Sequence, residues 1–575
     1  MKFLLIAVNA KYIHSNPGLY SIRAYSDDYK EQIEIAEYTV NHLKSHILAD
    51  IFKKKPDVAA FSCYIWNWSM IQEIIVELHK VLPKIPIWVG GPEVSYDAEN
   101  VLENLPMLSG VMIGEGEETF NDLMRHYIKG SIAMEDIKGI ATKKGMHAPR
   151  PLTDLSKMPF LYEDLHQFEN RIIYYESSRG CPFRCSYCLS SIDKKVRLRN
   201  SSIVTRELQF FLDHNVTQVK FVDRTFNCNH KHAMQIWKYL KEHDNGITNF
   251  HFEISADIIN QEEIKLLNSM RCGLVQLEIG VQTTNPHTLK AINRYVEFEQ
   301  LQEVVRNIQS GNNIHTHLDL IAGLPFEDYE SFAKSFNDVY RLKPEQLQLG
   351  FLKVLKGSRM HEKAEEYGIV YNSKPPYELL YSKWLPYEEV LRLKGIEEMV
   401  ELYYNSNQFT ATIPVLILNF RTPFAMFEAL AEFYEQKGYF VNSPARTYRY
   451  HILLEFAVLV DTKRQALYHE LLTYDMYLRE NLKSRPDFAR DMSVWKEKLL
   501  KFYQKEENTH QLLPEYKQYN ARQMSKMTHM EAFSYPVWEE DATKIQRLLS
   551  QEQLVLFDYR VRNPLTYQAR TVLVQ

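Results

Sequence analysis

The chain is 575 residues long, 45 % hydrophobic and 25 % charged, with a formal net charge of -5. That length exceeds what one hydrophobic core organises, so several domains are expected. The charge balance excludes a global attraction to nucleic acid or acidic lipid, and any polyanion site has to be local.

Met1-Lys2 and the apolar run Phe3 to Val8 predict a buried first strand. The run is shorter than the roughly 7–15 residues of a secretory h-region, and Asn9 and Lys11 follow at once. No stretch approaches the ~20 apolar residues of a membrane helix, so a soluble, cytoplasmic protein without a membrane partner is expected. Over residues 1–130 the strand-like runs 2–8, 58–63, 87–90 and 111–114 alternate with amphipathic helical patterns at 70–82 and 117–127. This alternation predicts an α/β domain with a doubly wound, Rossmann-like parallel sheet, whose ligands sit beyond the carboxyl ends of the strands. Two sharp turns, Gly90-Gly91-Pro92-Glu93 and Gly114-Glu115-Gly116-Glu117, stand at such ends. Residues 131–170, with Pro151 and Pro159, predict a surface connector.

A second strand-helix series starts at Arg171, with candidate strands at 172–176, 218–222, 249–255, 274–281, 314–321 and 346–353. Six units over residues 171–372 predict a partial (β/α)6 barrel, with chemistry at the C-terminal ends of its strands. After Pro375-Pro376 the pattern becomes helical, and Val390, Leu393, Ile396, Met399, Val400 and Tyr403 share one face. Residues 373–575 are expected to form a mostly helical domain closed by a hairpin at 554–559 and 568–574.

Three of the six cysteines lie in one short segment, Glu176-Ser-Ser-Arg-Gly-Cys181-Pro-Phe-Arg-Cys185-Ser-Tyr-Cys188. Clustered thiolates suit soft metals, and an iron-sulfur cube normally takes four of them. Three leave one iron open. The alternative is a zinc knob completed by Cys228 or a histidine, but the second close ligand pair usual in zinc sites does not follow this loop. Cys228 and Cys272 are read as small hydrophobes.

The C-x3-C-x2-C loop after a strand resembles that of the radical S-adenosylmethionine (radical SAM) superfamily, over roughly Arg171 to Tyr367. The resemblance implies that Cys181, Cys185 and Cys188 hold a catalytic 4Fe-4S cluster whose open iron chelates S-adenosylmethionine. It places Tyr187 at the aromatic position near the adenine and Asp223 at the methionyl amine, although the common Gly-Gly-Glu is absent here. Glu253 is assigned to the ribose hydroxyls or the methionyl group. Gly280 and Gln282 belong to the fourth-strand segment, Ile321 and Gly323 to the fifth.

A doubly wound domain before such a barrel resembles the cobalamin-binding radical SAM family. The segments that carry this likeness are Phe61-Ser-Cys-Tyr-Ile-Trp66-Asn67 and the two glycine turns. They imply a cobalamin site at Ser62, Tyr64, Trp66, Gly90, Gly91, Pro92, Glu93, Gly114, Glu115 and Gly116. No G-x-G-x-x-G opens the first helix, which disfavours a dinucleotide. Where methionine-synthase-like cobalamin domains carry D-x-H-x-x-G, this chain reads Tyr12-Ile-His14-Ser-Asn-Pro17-Gly18. With the Asp replaced and the spacing longer by one, His14 is read as a satisfied loop histidine. The C-terminal third resembles a domain of unassigned role found in one subgroup of the family.

The implied activity is reductive cleavage of S-adenosylmethionine and methylation of an unactivated carbon, fed by an electron donor such as flavodoxin or ferredoxin. Radical rearrangement and RNA modification without methyl transfer are the alternatives. Basic residues Lys496, Lys498, Lys501 and Lys505 alternate with Trp495, Phe502, Tyr503, Tyr516 and Tyr519, a pattern that suits RNA stacking. Glu497, Glu506, Glu507 and Glu515 dilute it, so a solvated helix face is expected instead.

Overall fold

The computed structural model describes residues 1–574. The N-terminal sheet contains β1 (Phe3–Asn9), β2 (Ile33–Thr39), β3 (Val58–Ser62), β4 (Ile87–Gly90), β5 (Gly110–Met112), β6 (Ile140–Thr142) and β7 (Gly145–Met146), in the spatial order β2-β1-β3-β4-β5-β6-β7. The first five are parallel. Every residue of β1 and β3 is buried, because packed layers cover both faces of the sheet. The helix expected at 70–82 runs over Trp68–Val81 and buries Ile71, Ile74, Ile75 and Leu78.

Three strands depart from the sequence expectation. The edge strand β2 mixes Ile33 and Ile35 with Glu34 and Glu37, without a clean period-two alternation, and carries too little apolar signal to stand out. β6 and β7 add antiparallel strands to the sheet, so it extends into the stretch expected to be pure connector.

The central sheet contains β8 (Ile173–Tyr175), β11 (Gln218–Phe221), β12 (Asn249–Ile254), β13 (Val275–Gln282), β14 (His315–Ala322) and β15 (Gln346–Phe351); a short antiparallel pair, β9 (Ser178–Arg179) and β10 (Arg197–Leu198), frames the cysteine loop. The six long strands are all parallel, in the order β15-β14-β13-β12-β11-β8, and β8 and β15 do not pair. Alternation along β13 puts Val275, Leu277, Ile279 and Val281 in the core and leaves Gln276, Glu278, Gly280 and Gln282 on the inner face.

Both edges of this open sheet are capped by other parts of the chain. Beside β8, Ile172 N–H donates to the Ile13 carbonyl at 2.9 Å, from the loop after β1. Beside β15, the Asn405 side chain accepts from Leu347 N–H and donates to the Leu347 carbonyl, both at 2.9 Å.

Beyond a small pair, β16 (Val370–Tyr371) with β17 (Leu379–Tyr381), the C-terminal third is mostly helical. Its predicted apolar face, Val390 to Tyr403, is buried in one continuous core with the barrel. The closing hairpin, β19 (Gln553–Arg562) and β20 (Ala569–Val574), gains an unanticipated partner, β18 (Thr528–Phe533). Tyr503 and Tyr516 pack into a small core under this sheet and are not free to stack on bases. No described helix is long and apolar enough to cross a membrane.

Candidate active site

The cysteine loop is fixed by backbone hydrogen bonds from distant parts of the barrel. Ser186 N–H donates to the Ile292 carbonyl at 2.9 Å, Met360 N–H to the Ser186 carbonyl at 2.8 Å, and Cys181 N–H to the Asp193 carbonyl at 3.4 Å. Gly180 enters the loop at φ +92°, and a Cβ there would lie 2.5 Å from the Lys195 carbonyl oxygen. The three thiols are free, Cys181 and Cys185 buried and Cys188 half-buried. Burial pushes the Cys185 thiol up, and the Arg294 guanidinium beside it, 3.9 Å from Sγ, opposes that shift. Three free thiols on a pinned loop, with a cation to offset thiolate charge, fit a cluster that leaves one metal corner open.

Tyr187 is beside Cys185 and Arg294, and burial raises its phenol far above the usual range. Asp223 lies below the loop with both oxygens engaged: Ser177 N–H donates at 2.9 Å, Ser177 Oγ at 2.7 Å and Ser178 Oγ at 2.5 Å. Burial lifts its carboxyl to about 6 despite those bonds. Glu253 faces the inner side of the barrel, where burial raises it to about 7 against the pull of Arg224. Gly280 and Gln282 flank a β-bulge; Gln282 adopts φ +73°, and a Cβ on Gly280 would sit 2.2 Å from Gln282 Nε2. The Gly280 carbonyl also accepts from Arg294. Ile321 lies near the C-terminal end of β14, ahead of Gly323 at φ +85°.

In the N-terminal domain, Ser62, Tyr64 and Trp66 follow β3. Ser62 Oγ accepts from Asn16 at 3.1 Å, Trp66 Nε1 donates to the Val8 carbonyl at 3.2 Å, and the Tyr64 and Trp66 rings stack at 4.3 Å. Gly91 is held at φ +114°, where a Cβ would meet the Cys63 carbonyl oxygen at 2.5 Å, so the turn itself requires glycine. Gly90 packs on Met112 and Gly116 on Ile22, while Gly114, at φ +76°, has open space around its missing side chain.

The acids of these turns reach across to the connector, the barrel and the C-terminal region. Glu93, next to Pro92, accepts from the Tyr377 hydroxyl. Glu115 accepts from Thr153 N–H at 2.7 Å and pairs with Arg197 and Arg179; Glu117 pairs with Arg179 at 2.5 Å. Arg179, two residues before Cys181, also holds Glu176 at 2.9 Å. The carboxyl ends of the N-terminal strands therefore abut the segment that carries the cysteines. His14 Nδ1 lies 2.6 Å from the Tyr174 hydroxyl, which gives this loop histidine a partner, and burial lowers its pKa.

Sequence reading missed Arg294 and the partners Arg179 and Arg197. It also missed a group of charged side chains inside the barrel. Lys220 Nζ and His251 Nε2 each stand 3.0 Å from Glu278 Oε2, and His317 Nε2 is 3.0 Å from Asp319 Oδ1. The period-two alternation of these strands signals inward positions, but their convergence depends on strand register.

Residues 4–124 match the family model of the B12 binding domain, 175–339 that of the radical SAM superfamily, and 365–557 that of a protein family of unknown function, DUF4080. The chain is 24 % identical to an uncharacterized methyltransferase of Pyrococcus horikoshii, over 64 % of this chain and 80 % of that protein. It is also 24 % identical to the cobalamin-dependent radical SAM methyltransferase TokK of Streptomyces tokunonensis, over 55 % of this chain but only 50 % of that one. Among solved structures it resembles the cobalamin-dependent S-adenosylmethionine radical enzyme OxsB, at TM-score 0.55 and 14 % identity over 88 % of this chain and 81 % of that one. The radical S-adenosylmethionine methyltransferase TsrM from Kitasatospora setae gives TM-score 0.54 and 16 % identity, over 66 % and 79 %. At these identities the structural likenesses are of fold.

Proposed function

We propose, from the premise that this chain is a cobalamin-binding radical SAM protein, that it methylates an unactivated carbon. The observation that carries the reading is the contact between the two strand-end faces, where Glu115 and Glu117 grip Arg179 and Arg197 beside the cysteine loop. A substrate carbon held at that junction is within reach of both domains, which makes a bimolecular encounter local. When bound, the cluster and cobalamin supply electron transfer and methyl carriage, the parts of the chemistry that side chains do not provide.

The residues have distinct parts in this reading. Cys181, Cys185 and Cys188 ligate the cluster, and Arg294 offsets their negative charge. Asp223 positions the loop through Ser177 and Ser178, leaving Tyr187, Glu253 and the backbone near Gly280 and Ile321 as the surfaces closest to S-adenosylmethionine. The stacked Tyr64 and Trp66, with the open space at Gly114, offer the N-terminal domain's flat apolar wall to the macrocycle. The electron donor is a small carrier of the flavodoxin or ferredoxin class. Domain limits follow the sheets: the cobalamin domain through the β6–β7 hairpin, the barrel from residue 171 to about 372, and the DUF4080 region thereafter.

The test is anaerobic turnover with S-adenosylmethionine labelled in its methyl group, offered extract fractions as substrate. Label is expected in a carbon-methylated product only when both cofactors are present. Cobalamin-free enzyme that keeps its cluster should release slow 5'-deoxyadenosine without that product. The same product at the same rate without cobalamin would overturn the proposal.

A further inference from the structure

The inner face of the barrel brings together two imidazoles and two carboxylates from three adjacent strands: His251 on β12, Glu278 on β13, and His317 and Asp319 on β14. The strand register sets Glu278 directly beside His317. Ligand atoms of Glu278, His317 and Asp319 all lie within 4.8 Å of one another. The side chains of His251 and His317 are each 8 % exposed.

The contacts have an unusual character. His317 Nε2 is 3.0 Å from Asp319 Oδ1, and His251 Nε2 is 3.0 Å from Glu278 Oε2. Yet both ring nitrogens and Asp319 Oδ1 are buried without an aligned hydrogen-bond partner among the described residues. A protonated imidazole paired with a carboxylate points its N–H along the N···O line. Nitrogen and oxygen that stand side by side instead have the arrangement of neighbouring ligands of one ion, where bonds of roughly 2.0–2.2 Å leave ligand atoms about 3 Å or slightly more apart. Leaving such atoms unsatisfied in a buried site is costly, so the arrangement calls for a partner.

We propose that Glu278, His317 and Asp319 form a second metal site inside the barrel, separate from the cysteine loop and flanked by His251 at Glu278, for a divalent first-row transition ion. One imidazole with two carboxylates suits Zn²⁺, Fe²⁺ or Mn²⁺, and the absence of sulfur ligands separates the site chemically from the cluster. Lys220, 3.0 Å from Glu278 Oε2, is the built-in competitor: its ammonium holds the carboxylate when no ion does. The site stands on these residues whether or not the proposed methyl transfer is correct.

The test uses Mn²⁺ as probe on oxidised holoenzyme carrying cluster and cobalamin, read by electron paramagnetic resonance. One equivalent of Mn²⁺ is expected, with coupling to imidazole nitrogen. His317→Gln and the isosteric Asp319→Asn should each weaken it by more than roughly 10-fold, with iron and cobalamin content unchanged. Lys220→Met should tighten it several-fold by removing the competing cation. If His317→Gln does not fold, Asp319→Asn and Lys220→Met carry the test. Mn²⁺ held without nitrogen coupling, equal binding by wild type and a ligand variant, or no binding by either wild type or Lys220→Met would each overturn the site.

Discussion

The two parallel sheets use their faces differently. In the N-terminal sheet the central strands β1 and β3 are buried from end to end, so along them a site can form only beyond the strand tips. In the barrel each strand buries one side and turns the other inward, and that inner side carries Lys220, His251, Glu253, Glu278, His317 and Asp319. A sheet covered twice makes a site only at its ends, whereas a curved sheet covered once makes a site of its whole inner surface. Under the proposed function the first domain is a platform, and the second is a reaction chamber with the cysteine loop at its rim.

The sharpest way to break this contrast is at the rim. Cys181→Ala, Cys185→Ala and Cys188→Ala should each strip cluster iron and lower S-adenosylmethionine cleavage by well over roughly 100-fold, more than the loss of an outer partner of a metal site costs. Iron analysis together with 5'-deoxyadenosine yield checks this, and full cleavage by any one variant would remove the chamber's assignment.

A platform, by contrast, should be damaged locally. Gly91→Val forces a side chain into positive φ and against the Cys63 carbonyl, at a cost of about 2–4 kcal/mol in that domain. Cobalamin retention is expected to fall while iron content holds. Equal loss of both would mean that the turn supports the whole chain.

The smallest effect tests the chamber's polarity. Glu253 faces Arg224 and Lys220, which favour its charge, and Glu278 and Asp319, which oppose it; burial dominates and raises its carboxyl from 4.5 to about 7. The folded state thus binds the proton more tightly than the unfolded chain. This contribution is complete below pH 4.5 and is lost as pH rises through 7, a change of about 1–3 kcal/mol. Glu253→Gln, which imitates the protonated form, should flatten that part of the stability profile in chemical denaturation. An unchanged slope would show that Glu253 is better solvated than its place on the inner face suggests.

Much of the platform and of the rim was legible in the sequence. The apolar runs of β1, β3 and β4 are short but unbroken, and the cysteine spacing is local. Other features depend on information the sequence holds only implicitly. The carboxylates of β2 disguise an edge strand as a loop. Glu115 and Glu117 sit in a recognisable turn, but nothing nearby reveals that they reach Arg179 and Arg197. Arg294 follows a short helix and reaches both Cys185 and the Gly280 carbonyl, a placement set by tertiary packing. His251, Glu278 and His317 are separated by whole strand-helix units and meet through register, which period-two alternation does not fix.

The capped edges of the barrel sheet bear on how this chain can be divided. Residues 171–372 released on their own would expose β8 without Ile13 and β15 without Asn405, two bare edges able to recruit strands from other copies. The three regions are thus not beads on a string. Any truncation or domain exchange has to bring its own cover for each edge, and a C-terminal replacement without an amide at the place of Asn405 leaves the Leu347 backbone groups open to pairing.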